Sequence, residues 1–174
     1  MRAARPIDPA YLERAALHYL ERYGASVEML RRVLLRRVES RCRLRGEAPE
    51  AFAGMVEAVV ERARGAGLVD DAAFASAKVR TLRRRGGSAR AIGAKLAAKG
   101  VDRAVVGAVL AESDADAEEE AARAYARRRR LGPWRAPAGR EAGRDRDLAA
   151  MARAGFGFSL ARRVIDGGPE PDEA

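Results

Sequence analysis

An apolar pattern that recurs three times constrains this 174-residue chain more than any other feature. Met55-Val56 with Val59-Val60, Val105-Val106 with Val109-Leu110, and Leu160-Ala161 with Val164-Ile165 each occupy positions i, i+1, i+4 and i+5. That spacing makes one buried stripe on a helix. A second short helix precedes each stripe, marked by Leu30 and Leu34, then Ile92 and Leu96, then Met151. A shift of 55 places Leu96 on Met151, Gly100 on Gly155, Val101 on Phe156 and Val109 on Val164. Register kept through two helices and the joint between them is the mark of a repeat array.

Composition agrees with a wholly helical chain. There are 39 Ala and 31 Arg against 3 Ile, 1 Thr and no Asn or Gln, so the residues that favour strands are scarce apart from 13 Val. A single Cys and a single His leave no intramolecular disulfide and no zinc cluster. The N-terminus lacks an export signal and no apolar run is long enough to span a bilayer, which points to a soluble protein of the reducing cytoplasm.

The joints have local causes. Gly100 and Gly155 stand where helices end, in the left-handed conformation that glycine adopts without strain. Ser26, Ser88, Asp102 and Ser159 are placed as N-caps. Asp8-Pro9 opens a first helix whose apolar face is Leu12, Ala16, Tyr19, Leu20 and Tyr23, ending at Gly24. Asp70 opens another, ending at Arg83-Arg84-Arg85 and Gly86-Gly87. A third runs from about Asp116 to Leu131, acidic early (Glu118, Glu119, Glu120) and basic late (Arg127 to Arg130), as the helix dipole favours. The stretch from Glu39 to Pro49 either lengthens the second helix or forms a loop. Residues 132–146, with Pro133, Pro137, Gly139 and Gly143, read as an exposed linker.

The expected architecture is all-α: three tandem three-helix repeats at residues 8–68, 69–112 and 113–168, with an insertion at 132–146 and loose tails at 1–7 and 169–174. Units this small lean on their neighbours, so the expected form is an elongated array, with curvature open.

Arginine is the abundant functional group. With a net charge of +9, the candidate partner or DNA contacts are Arg31, Arg32, Arg36 and Arg37, then Arg83, Arg84 and Arg85, then Arg127, Arg128, Arg129 and Arg130. Such arginines clamp phosphates or carboxylates, so the target is either a DNA backbone or an acidic partner surface. Without Asn and Gln the usual readers of adenine are missing. Tyr11, Tyr19, Tyr23, Phe74 and Phe156 read as core; Trp134, beside Arg135, is the aromatic expected at the surface. Cys42 among Arg41, Arg43 and Arg45 has the surroundings of a lowered thiol pKa. The run Asp114, Asp116 and Glu118 to Glu120 reads as a helix start, not a metal site. Gly65 to Asp70 begins like a dinucleotide loop but follows a helix and lacks the third glycine. No catalytic residue, cofactor or metal is expected.

The segment Gly67-Leu68-Val69-Asp70-Asp71-Ala72-Ala73-Phe74-Ala75 resembles the signature of the bacterial RecX family of recombinase regulators. Arg85, Gly86, Arg90, Ile92, Leu96, Lys99-Gly100-Val101 and the Val105 to Leu110 stripe follow in that family's order. Met151 to Phe156 resembles its last repeat, and the likeness covers Tyr11 to Asp166. Ser88-Ala89 departs from the family's frequent Gly-Pro. The resemblance implies a non-enzymatic, all-helical protein of three tandem three-helix repeats that lodges in the groove of a RecA-type recombinase filament; a monomer on a filament with single-stranded DNA is expected. The resemblance also implies restraint of filament assembly, ATP hydrolysis, strand exchange and coprotease activity. The alternative, from charge and from the likeness of the short helix pairs to helix-turn-helix units, is a basic helical nucleic-acid-binding module acting without the recombinase.

Overall fold

The computed structural model describes residues 6–112 and 115–168, and within them lie nine α-helices and no strand. Asp114 and the tail residues 1–5 and 169–174 lie outside the described residues. In order, the helices are α1 (Pro9–Leu20), α2 (Val27–Arg45), α3 (Ala53–Gly65), α4 (Asp71–Arg84), α5 (Ala89–Ala98), α6 (Arg103–Ala111), α7 (Ala115–Arg129), α8 (Arg140–Arg153) and α9 (Phe158–Asp166). The chain forms two compact units, one from the residues up to Phe74 together with Ala98–Asp102, the other from Ala75–Ala97 and Arg103 onward.

In the first unit, α1, α2 and α3 close around Leu12, Leu30, Leu34, Val38, Val56 and Val60, all with 0% exposure. Each such aliphatic chain stabilises the fold by about 1.5–3 kcal/mol relative to its exposed state. Asp8 caps α1 by accepting the Tyr11 N–H, with Pro9 at the first helical position as expected. Ile7, expected in a loose tail, is instead buried in this core. Tyr23, expected on the apolar face, is 57% exposed because α1 ends at Leu20, before the stripe reaches it. Between Glu39 and Pro49 helix α2 continues to Arg45, stops at left-handed Gly46 (φ 68°), and a 3-10 turn follows at Pro49–Phe52.

The second unit uses smaller side chains. Ala121, Ala122 and Ala126 on α7 let α9 approach closely, and α8 packs on α9, around Met151, Phe156, Leu160 and Val164. Residues 132–146 are not an exposed linker. Gly132 and Pro133 are buried, 3-10 turns form at Gly132–Trp134 and Pro137–Gly139, and α8 starts at Arg140. The Arg140 guanidinium donates to the carbonyls of Pro133 and Arg135, which ties the corner down. Ser159 does not cap α9: Gly157 holds that position without a side-chain bond, and Ser159 lies inside the helix.

One joint is built twice. Ser26 Oγ accepts the Met29 N–H at 3.1 Å and donates to the Lys99 carbonyl. Ser88 Oγ accepts the Ala91 N–H at 3.1 Å and donates to the Ala154 carbonyl at 2.7 Å. The amide after each serine meets a carboxylate: Val27 donates to Asp71 at 2.8 Å, and Ala89 to Glu118 at 3.0 Å. Each accepting carbonyl directly precedes a left-handed glycine, Gly100 (φ 75°) or Gly155 (φ 94°). Ser88→Ala strands one amide and one carbonyl, and is expected to cost about 2 kcal/mol in urea unfolding. A loss below about 0.5 kcal/mol would show that water replaces both bonds.

Candidate functional site

Arginines in this structure divide into those already paired and those that are not. Arg31 bridges Glu28 and Glu57, and Arg32 bonds Glu28 and the Ala98 carbonyl. Hydrogen bonds to those two carboxylates push the Arg31 guanidinium pKa upward, while Arg31 and Arg32 hold Glu28 below its ordinary range despite the opposing effect of burial. Arg83 pairs with Glu118, the carboxylate that also holds the Ala89 amide. These three predicted contacts therefore carry compensated charge. Arg36 and Arg37 are exposed beside Val33, Ser40 and Leu44, next to Arg41, whose guanidinium lies 3.9 Å from the Tyr11 ring centroid.

The end of α7 splits its arginine run. Arg127 turns toward Trp134, Glu119 and Glu120, whereas Arg128 and Arg129 face a different groove; Arg130, in the left-handed conformation (φ 54°), and Arg84 are exposed. Trp134 is half-buried against the core of the second unit rather than freely exposed, because the 3-10 turn at Gly132–Trp134 directs it inward.

That groove lies wholly within the second unit and has a volume of about 720 Å³. Arg85, Lys95, Arg128, Arg129, Arg146 and Arg153 line it, together with Arg135 and the carboxylate Asp147. Asp147 is 1% exposed and is consumed internally: it accepts from Gly132 N–H at 2.8 Å and from both ends of the Arg135 fork. Burial alone raises the Asp147 carboxyl, but the Arg135 and Gly132 bonds outweigh it and hold the pKa below its ordinary value. The other six cations form no ion pair among the described residues. Arg128 is steadied by the Arg85 carbonyl at 2.6 Å, and its guanidinium carbon lies 5.9 Å from the Tyr125 ring centroid. Sequence reasoning found Arg85, Arg128 and Arg129 but missed Lys95, Arg146 and Arg153. Those three stand singly on α5 and α8 and are gathered only by tertiary packing.

Catalytic candidates do not assemble. His18 is exposed, and Cys42 is 1% exposed within the first core. Burial pushes the Cys42 thiol up, with Glu47 and Glu50 adding to it and Arg45 opposing, so the neighbouring arginines do not lower it. Among the described residues no cluster of three His, Cys, Asp or Glu could hold a metal ion, and no helix is long and apolar enough to cross a membrane. Gly65 to Asp70 forms the end of α3 and a turn through left-handed Gly67.

Residues 70–110 match the family described as RecX, second three-helix domain. The chain is 49% identical over 168 residues to the regulatory protein RecX of Myxococcus xanthus (strain DK1622), covering 95% of this chain and 89% of the relative. The chain belongs to the RecX family. A regulatory protein RecX from Agrobacterium fabrum (strain C58 / ATCC 33970) is 30% identical over 90% of this chain and 82% of its own length. A crystal structure of a regulatory protein RecX superposes with a TM-score of 0.66, at 21% identity, over 91% of this chain and 72% of that one. RecX proteins are regulators rather than enzymes. The family match at 70–110 includes two of its cations, Arg85 and Lys95.

Proposed function

We propose that this RecX protein is a negative regulator of a RecA-type recombinase, acting in the cytoplasm as a monomer of three three-helix repeats (8–68, 69–112 and 113–168). It binds the recombinase filament on single-stranded DNA and restrains assembly, ATP hydrolysis, strand exchange and coprotease activity. The observation that carries this reading is the groove lined by six cations that make no ion pair, on a chain of a regulatory family. A nucleoprotein filament presents phosphates and carboxylates together, and cations left unpaired at home are available to both. Of the sequence candidates, Arg84, Arg85, Arg128, Arg129 and Arg130 are exposed for this role, with Arg36 and Arg37 as a second patch. Arg31, Arg32 and Arg83 contribute less, because binding a partner would first break their ion pairs.

Steady-state ATPase of a bacterial recombinase on single-stranded DNA, titrated with this protein, tests the reading. Inhibition is expected at well below one molecule per recombinase protomer. Reversing Arg84, Arg85, Arg128 and Arg129 to Glu is expected to abolish it with helicity intact. Full inhibition by that variant would remove the groove from the interface. Inhibition only once the DNA itself is saturated would leave a bare nucleic-acid binder.

A further inference from the structure

We propose that the solvent face of α2, in the first unit, is a docking site for an acidic amphipathic helix of a protein partner. This goes beyond the reading above, in which Arg36 and Arg37 only add positive charge, by giving that face an occupant of stated chemistry. Helix α2 carries two stripes. Leu30, Leu34, Val38 and Cys42, spaced four apart, are buried in the core of the unit. Val33, Arg36, Arg37, Ser40, Arg41 and Leu44, at i, i+3, i+4, i+7, i+8 and i+11, share a second face. Together with Tyr11 of α1 they line a concavity of about 450 Å³.

The lining selects the occupant. Leu44 is 78% exposed near the end of α2, and Val33 is half-buried three turns earlier, roughly 16 Å along the axis. Three guanidiniums stand between them, and Arg36, Arg37 and Arg41 form no ion pair among the described residues. The lining holds no carboxylate. Aliphatic groups at both ends with cations between them complement a helix that presents apolar side chains at the same spacing and carboxylates beside them. A single strand of nucleic acid stacks its bases on an open aromatic face, yet the Tyr11 ring is already covered by the Arg41 guanidinium, 3.9 Å from its centroid. A bilayer is met by a convex apolar face, whereas Tyr11, Val33 and Leu44 line a hollow.

The test is fluorescence anisotropy of a labelled peptide of about 16 residues, with leucines at i, i+4, i+7 and i+11, glutamates flanking them and alanines elsewhere, titrated with the full chain. R37E/R41E is expected to weaken binding about tenfold, and L44S about fivefold. A peptide with serines in place of its leucines is expected to bind about fivefold more weakly to the wild type. R22E/R64E makes the same charge change at exposed positions of the same unit outside the concavity and is expected to stay within about twofold. Circular dichroism checks that the variants fold, and R37Q/R41Q repeats the test without added negative charge. Equal binding of the two peptides, or equal losses in the two Glu variants, would overturn the site in favour of diffuse attraction to a basic chain. Loss in R146E/R153E with retention in R37E/R41E would overturn it by moving the peptide to the groove of the second unit. Displacement of the peptide from R146E/R153E by oligothymidylate would overturn it in favour of a nucleic-acid surface, and displacement by phosphatidylglycerol vesicles in favour of a membrane surface. Recombinase and DNA are absent from the binding assay, so loss of this site and loss of the inhibition proposed above are read separately, the second by ATPase alone.

Discussion

Gly100→Ala is expected to destabilise the first unit by about 2–5 kcal/mol, whereas Gly46→Ala costs only about 1 kcal/mol. Both glycines are left-handed, with φ of 75° and 68°, so both alanines pay the same backbone penalty. Their surroundings differ. An added Cβ at Gly46 meets nothing within 4 Å, while one at Gly100 falls 2.4 Å from Glu28 Cβ and 2.2 Å from Glu28 Cγ. Glu28 Cβ is fixed to the first turn of α2, so rotamer change cannot clear it; the helix must shift, and the Ser26 bond to the Lys99 carbonyl shifts with it. Urea unfolding followed by circular dichroism measures both variants. Equal losses would show that the backbone term alone matters and that the close approach relaxes freely.

That comparison also shows where sequence is informative. The three stripes, the caps at Asp8, Ser26 and Ser88, and the left-handed Gly100 and Gly155 were legible because each depends on residues a few positions apart. Three to five residues of spacing suffice for a helix face or a cap. The partners of those caps were not legible, since Ser26 and Lys99 are 73 positions apart and Ser88 and Ala154 are 66. The groove fails to show for the same reason. Runs such as Arg127 to Arg130 announce themselves, but on a helix consecutive residues point in different directions, and the structure sends Arg127 one way and Arg128 and Arg129 another. Lys95 and Arg153 stand alone in sequence and become a site only when α5 and α8 face the same concavity. The misread linker at 132–146 has a sharper cause: proline and glycine signal irregular backbone, and irregular backbone is as well suited to a buried corner as to a loose loop when a carboxylate accepts from its buried amide, here Gly132 N–H.

Asp147 is that carboxylate, and removing it tests the corner and the groove together. Asp147→Ala leaves the Gly132 amide and the Arg135 guanidinium without their acceptor, at 1% exposure of the lost side chain. Leaving the buried Gly132 amide without its acceptor costs about 1–3 kcal/mol, and Arg135, whose side chain is partly in solvent, loses both arms of its fork as well. Replacing both partners by apolar residues, as in R135M/D147L, is expected to recover part of that loss, leaving the Gly132 amide as the main cost. The pH dependence has a definite sign. The folded-state pKa of Asp147 lies below its ordinary value, so the carboxylate contributes stability that is fully present above the ordinary carboxylate range and is lost as pH falls through the folded value. The wild type is therefore expected to lose stability on acidification below about pH 4 more steeply than R135M/D147L. Parallel acid profiles for the two proteins would assign the loss to the other depressed carboxylates, Glu28, Glu119 and Asp166, whose partners are more exposed. Since Asp147 is also the only acid among the described residues that line the groove, D147A that remains folded should bind a recombinase filament on single-stranded DNA at least as tightly as wild type, while its unfolding midpoint falls. Stability and anion binding moving in opposite directions is the outcome a purely structural cluster would not produce.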